Sequence, residues 1–206
     1  LSVSENGLYN KINQAYFLGG PEQAVEALNR NLDLQIDDFA TFNWKAVVDA
    51  VNILGGVDVE LSKAEFYYIN AYITETVEAT GVGSYQLKQA GLNHLDGVQA
   101  VAYARLRKMD TDFARTERQR EIIDLCFQKL KKSDFAVVNN VMEAVFPQIL
   151  SSVTIDDIIP AARNLTKYTI ADTMGFPAAG SDANMGKKGA CVIPQTLESN
   201  VTLLHQ

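Results

Sequence analysis

Apolar residues recur at helical spacing along PEQAVEALNRNL (21–32): Ala24, Val25, Leu28 and Leu32 share a stripe, and Pro21 takes the first helical position, where no amide donor is needed. The pattern predicts a helix from Pro21, preceded by the break Gly19-Gly20. IDDFATF (36–42) alternates loosely, as a short strand does. Residues 44–54 return to a helical period and stop at Gly55-Gly56, and VDVEL (57–61) alternates apolar and polar positions as a half-buried strand. The period is helical again over 63–79 until Gly81 and Gly83, after which YQL (85–87) reads as a short extended piece.

Asp96 is placed to cap a short helix through Tyr103, and Thr111 or Asp112 to cap a long one over 113–131. Helical patterns follow at 134–150 and 155–167. The tail, with Gly175, Gly180, Gly186 and Gly189 among polar residues, reads as irregular until ACVIP (190–194) and a last short helix ending at Gln206. Such alternation of strands and helices predicts a layered α/β arrangement. There is no internal repeat, no low-complexity segment and no stretch with the composition of a linker. At 206 residues, 47% of them hydrophobic, one sizeable core can form, so a single domain over 1–206 is expected.

Charge changes this picture at one place. The chain has a net charge of −7, yet YARLRKMDTDFARTERQR (103–120) carries Arg105, Arg107, Lys108, Arg115, Arg118 and Arg120 against Asp110, Asp112 and Glu117. The stretch is net +3, which leaves −10 for the rest. A pI near 4.8 argues against general affinity for nucleic acid or anionic lipid, so anion binding must be local. Apolar runs around 44–54 and 135–150 are interrupted by Asp49, Asn52, Asn139, Asn140 and Glu143 and fall short of the roughly 20 residues a membrane span requires. The chain begins without Met or a signal-peptide pattern, so any such segment is expected upstream or already removed.

The island has a geometry. On the long helix Arg115, Arg118 and Gln119 share one face and continue into Ile122, Cys126 and Leu130, while Thr116, Arg120, Asp124 and Gln128 share the wetter side. An inward guanidinium requires an anion or a carboxylate, and here it lies near a helix start whose amides favour negative charge. Arg105 and Arg107 precede that helix; extended, both leave one face, whereas in a helix they diverge by about 200°. Convergent guanidinium forks suit a phosphate or pyrophosphate. The plainer alternative pairs these arginines with Asp110, Asp112, Glu117 and Glu121 on a solvated surface.

Other candidates are weak. Cys126 and Cys191 share no metal or redox spacing; two buried free thiols is the simpler reading and a disulfide between them the alternative. His94 and His205 are isolated and read as structural or exposed, and no Ser-His-Asp or Cys-His arrangement follows from spacing.

KINQAYFLGGPEQAVEAL (11–28), VVDAVNILGGVDVEL (47–61), LNHLDGVQAVAYARLR (92–107) and DFARTERQREII (112–123) resemble, in that order, successive blocks of the LytR-CpsA-Psr family. The resemblance covers about residues 8–132, and Arg-x-Arg followed by Asp-x-x-Arg-x-x-Arg-Gln is its most specific part. It implies a three-layer α/β/α fold with a central mixed sheet flanked by helices, here lacking the family's leading strands. It implies an extracytoplasmic enzyme of Gram-positive-type envelopes that moves a glycopolymer, such as wall teichoic acid or capsule, from an undecaprenyl-pyrophosphate carrier to peptidoglycan with Mg2+ assisting. Members sit behind an N-terminal membrane helix, absent here.

The pyrophosphate-binding arginines of the family map onto Arg105, Arg107 and Arg115, with Arg118 and Gln119 beside them. Asp112 is the nearby carboxylate, expected to orient an arginine or to help deprotonate the acceptor hydroxyl; Lys11 and Asn13 lie in another matching block. In the family the aspartates that hold magnesium and a further arginine precede the KIN segment, and only ten residues precede it here. The expectation is therefore a C-terminal portion with its Mg2+ ligands upstream of Leu1, little transferase activity alone, and a tendency to self-associate through an uncovered sheet edge. Two alternatives follow: a non-catalytic polyprenyl-phosphate binder, or a regulatory protein of the transcriptional-attenuator type.

Overall fold

The computed structural model describes residues 1–108, 112–171 and 173–206, with Asp112 described in its backbone alone. The expected cap at Thr111 or Asp112 and the ion pairing of Asp110 and Asp112 thus lie outside the described residues. The chain divides into two compact units, each built from discontinuous pieces: Leu1–Thr41, Ser151–Val153 and Met174–Gln206 in one, Phe42–Leu150 and Thr154–Thr173 in the other.

In the first unit, α1 (Gln14–Leu32) is broken at Gly19 and Gly20 and resumes at Pro21, the predicted start. Gly20 sits at φ +73°, a conformation an L side chain resists, so the break is written into the pair of glycines. Asn31 on α1 holds the N-terminal segment by bonding both Ser2 N and Ser2 O, at 3.0 and 2.7 Å. β1 (Ala40–Phe42) follows, flanked by the bond from Ser152 N to Phe39 O. The tail is more regular than its composition suggests. β5 (Gly180–Asn184) and β6 (Ala190–Pro194) form an antiparallel hairpin before α8 (Leu197–Leu204). Asn200, buried on α8, bonds both the N–H and the C=O of Ala179, which anchors the hairpin's approach.

The second unit holds the main core. α2 (Trp44–Ile53) is capped by Asn43, whose side chain accepts from Ala46 N, and ends at Gly55-Gly56 as predicted. β2 (Val57–Leu61) buries Val57, Val59 and Leu61 and exposes Asp58 and Glu60; each such buried side chain contributes about 1.5–3 kcal/mol. α3 (Lys63–Thr80) opens with a Ser62–Glu65 capping box.

The next strand is displaced from its predicted place. YQL does not pair as a strand because Asn70 on α3 satisfies Leu87, accepting from its N–H at 2.9 Å and donating to its carbonyl at 3.0 Å. β3 is instead Gly91–Leu95, antiparallel to β2 with Val57 opposite Leu95 and Leu61 opposite Gly91. Only Leu95 of that strand is fully buried, so its hydrophobic signal is faint.

α4 (Gly97–Arg105), capped by Asp96 with Gln99 completing the capping box, is the central helix, with Val98, Ala100, Val101, Ala102 and Tyr103 all buried. α5 (Asp112–Lys132), α6 (Phe135–Val145) and α7 (Ile155–Arg163) follow. The predicted helix over 134–150 is cut short at a turn around Pro147, and β4 (Ile149–Ser151) takes its end. The described architecture is α/β. Among the described residues, β2 pairs with β3 and β5 with β6, each antiparallel.

One contact makes a prediction. A Cβ added at Gly97 would lie 2.1 Å from Val48 O, because α4 starts directly against the α2 backbone, and Gly97 N donates to Asn52 Oδ1. Gly97→Ala must push the two helices apart and is expected to cost about 1–3 kcal/mol. An unchanged urea midpoint would show that the crossing has room for a methyl group.

Candidate functional site

The cationic island folds into the corner where α4 meets α5. The helix predicted to end at Tyr103 continues to Arg105, and Leu106 leaves the helical region at φ −51° and ψ 130° while its N–H still reaches Tyr103 O. The extension follows from packing: Tyr103 and Leu106 are both buried, and one more half-turn delivers Leu106 to the core. Arg105 is consequently a helical residue held against the protein, whereas Arg107 lies beyond the bend and is exposed.

α5 presents the predicted stripe at Arg118, Ile122 and Cys126, but Gln119, expected on the same face, is exposed. Arg118 is 5% exposed and Ile122 4%, and Cys126 packs against the same core. Arg118 Nη2 donates to Leu106 O at 2.7 Å, and Nη1 lies 3.5 Å from Glu65 Oε1. The other Glu65 oxygen accepts from Ser62 N in the α3 cap. One guanidinium thus fastens α5 to the end of α4 and the start of α3. Exposed Gln119 reaches back to Ala104 O at 3.5 Å. Arg118 and Gln119 thus hold the backbone on either side of Arg105, whose own guanidinium is turned to α2 and α3. Arg115, one turn before Arg118, is half-buried with its Nε covered.

Arg105 is held from several sides. Its Cζ lies 3.8 Å from the centroid of the Trp44 indole and 5.8 Å from that of Tyr72; Nη1 donates to Thr76 Oγ1 at 2.7 Å, and Nη2 pairs with Glu75 at 3.3 Å. Arg105 meets Glu75 and Arg118 meets Glu65, both carboxylates on α3, 30 and 53 positions away in the chain. Glu121 has another use: it accepts from Tyr103 Oη at 2.8 Å. Burial, with that hydrogen bond adding to it, holds the Tyr103 phenol well above its ordinary pKa, so it stays a neutral donor.

The remaining candidates are dispersed. The Asp112 side chain lies outside the described residues. Lys11 and Asn13 belong to the other unit; Asn13 is exposed at the N-cap of α1, where its side chain makes no capping bond, and Lys11 is half-buried. Cys126 and Cys191 are free thiols, and burial pushes the Cys126 pKa up, which suits a packing role. His94 is exposed and pairs with Asp58, while His205 meets Leu32 O. Among the described residues no group of three or more His, Cys, Asp or Glu side chains could hold a metal ion. No helix among them is long and apolar enough to cross a membrane.

Trp44, Glu65, Glu75 and Thr76 were not among the residues singled out from sequence. A faint signal existed for Trp44, the chain's single tryptophan and placed directly after a capping Asn. The others are ordinary helix positions until the fold brings Arg105 and Arg118 to them.

The model of the LytR_cpsA_psr family matches residues 2–191, a span that runs through both units. The chain is similar to an uncharacterized protein of Staphylococcus aureus, 32% identical over 162 residues that make up 78% of this chain and 38% of that protein. It is also similar to TagV of Bacillus subtilis, a polyisoprenyl-teichoic acid–peptidoglycan teichoic acid transferase, with 26% identity over 189 residues, 90% of this chain and 46% of the relative. Among solved structures, TagT bound to LIIa-WTA aligns with a TM-score of 0.74 at 24% identity, covering 100% of this chain and 74% of that one. The chain spans less than half the length of these curated relatives.

Proposed function

The chain belongs to the LytR-CpsA-Psr family, and we propose that it serves in attaching an anionic glycopolymer, wall teichoic acid or capsule, from an undecaprenyl-pyrophosphate carrier to peptidoglycan. Relatives that carry the name of teichoic acid transferases support the class of reaction. The observation that carries the reading to this chain is the corner itself, where Arg105 and the first turns of α5 are drawn together in an otherwise acidic protein.

In the proposed reaction the acceptor hydroxyl oxygen bonds the phosphorus that bears the polymer. The bridging P–O bond breaks, and polyprenyl phosphate leaves with its electron pair while the hydroxyl proton passes to a base. Negative charge grows on the departing phosphate. Arg105, Arg107 and Arg115 are assigned to that charge, because guanidinium forks grip phosphate oxygens in pairs and the amides at the start of α5 add to the field. Gln119 is placed as a neutral donor beside them, and Arg118 as the fastening that keeps the corner closed. Asp112 is assigned to orienting Arg115 or Arg105. Magnesium stays part of the proposal for the whole enzyme, but since the described residues supply no ligand set, no step here runs through it. The same reading puts the protein on the outer face of the cell membrane in a Gram-positive-type envelope.

Calorimetric titration with geranylgeranyl pyrophosphate is the direct test. The wild-type chain is expected to bind it, and Arg107→Ala to weaken binding about tenfold or more, the loss of one charge-assisted bond. Wild-type protein that ignores the diphosphate, or an Arg107→Ala isotherm that matches wild type, would refute the assignment.

A further inference from the structure

Trp44 stands in the first turn of α2, and 46% of it is exposed, yet one face of its indole is covered by the Arg105 guanidinium at 3.8 Å. A cation centred at that height sits against the negative face of the aromatic ring. The ring covers one side of the guanidinium and leaves its rotation to the edge contacts.

Thr76 sets that rotation. Its side chain is wholly buried, and its hydroxyl donates to Tyr72 O at 2.7 Å. With its one hydrogen committed, the oxygen can only accept on its other side, and there it meets Arg105 Nη1 at 2.7 Å. Glu75 touches Nη2 at a longer 3.3 Å. These two bonds engage two of the five N–H donors an arginine carries, so the rest of the fork keeps a defined direction. A long side chain that must be ordered when an anion arrives loses binding free energy to that ordering; one already stacked and bonded does not.

We propose that Trp44 and Thr76 are positioning residues that hold Arg105 in the plane and direction needed to grip a diphosphate. The inference rests on the pyrophosphate reading above and adds to it a preorganising wall of one aromatic face and one buried hydroxyl. Trp44 is also the chain's single tryptophan, so its emission reports on this wall alone.

The experiment titrates the full chain with inorganic pyrophosphate, by calorimetry and by tryptophan emission together. Emission is expected to change with the same midpoint as the heat. Trp44→Ala is expected to weaken binding by about threefold to tenfold, and Trp44→Phe, which keeps a ring face, to retain most of the affinity. Thr76→Ser keeps the hydroxyl and is expected to bind as wild type, whereas Thr76→Val, of the same shape, loses about tenfold. A merely structural role predicts losses that follow thermal midpoints instead of ring face and hydroxyl. Equal affinity in wild type and Trp44→Ala, or bound pyrophosphate with no change in emission, overturns the positioning role and leaves the pyrophosphate site standing. A wild-type chain that binds no pyrophosphate overturns both.

Discussion

Arg115→Ala, assayed in the complete enzyme with a lipid-pyrophosphate donor, is expected to lower transfer by about 10²–10³-fold, the loss typical of one preorganised donor aimed at developing charge. The position explains the size. Arg115 lies one turn before the buried Arg118, half-buried at the start of α5, where the field of the helix amides and the shielding of the interior both strengthen a contact with phosphate. Arg115→Lys keeps the charge but not the fork, and is expected to recover only part of the rate. Far-ultraviolet circular dichroism and the thermal midpoint are expected to hold in both variants, which separates lost chemistry from lost fold. Turnover at the wild-type rate in Arg115→Ala would remove this residue from the mechanism.

Arg118→Ala is expected to act in the opposite way, on stability. The side chain is 5% exposed and donates to Leu106 O, itself in the core, while Glu65 beside it is also largely covered. Removing the cation strands a carbonyl and a carboxylate in the interior, which costs about 3–5 kcal/mol. Urea unfolding measures it directly. Adding Glu65→Gln to Arg118→Ala is expected to return part of the loss, because a neutral amide is cheaper to bury alone, and the double-mutant cycle gives the coupling between the two positions. If Arg118→Ala unfolds at the wild-type midpoint, the guanidinium is not the fastening that its contacts describe. Two arginines three positions apart on one helix would thus be told apart by different measurements, one by rate and one by denaturant.

Much of the fold was legible because local rules and the tertiary structure agree. The Gly19-Gly20-Pro21 break, the Asn43 and Asp96 caps, the Gly55-Gly56 stop and the strict alternation of VDVEL each act within a few residues, so a linear reading finds them. The polar-to-apolar stripe from Arg118 to Ile122 and Cys126 was legible for the same reason, since helical spacing alone aligns them. What failed was decided at longer range. YQL has the composition of a strand, but Asn70 takes its backbone groups; GLNHL looks weak as a strand, yet β2 supplies its partner. Of the tail hairpin, ACVIP reads as a strand-like run, but its partner GSDAN is mostly exposed, with little alternation to read.

From the amino-acid sequence by itself come the α/β class, the helix boundaries set by caps and glycines, the cationic island in an acidic chain and the family resemblance. Tertiary structure alone decided which arginine faces what. Arg105 and Arg118 are bound by groups on α2 and α3 far away in the chain, and a bend at Leu106 puts Arg107 on the exposed surface. The physical reason is that charge type and helical phase are local properties, whereas the partner a guanidinium finds depends on which element the core packs against it.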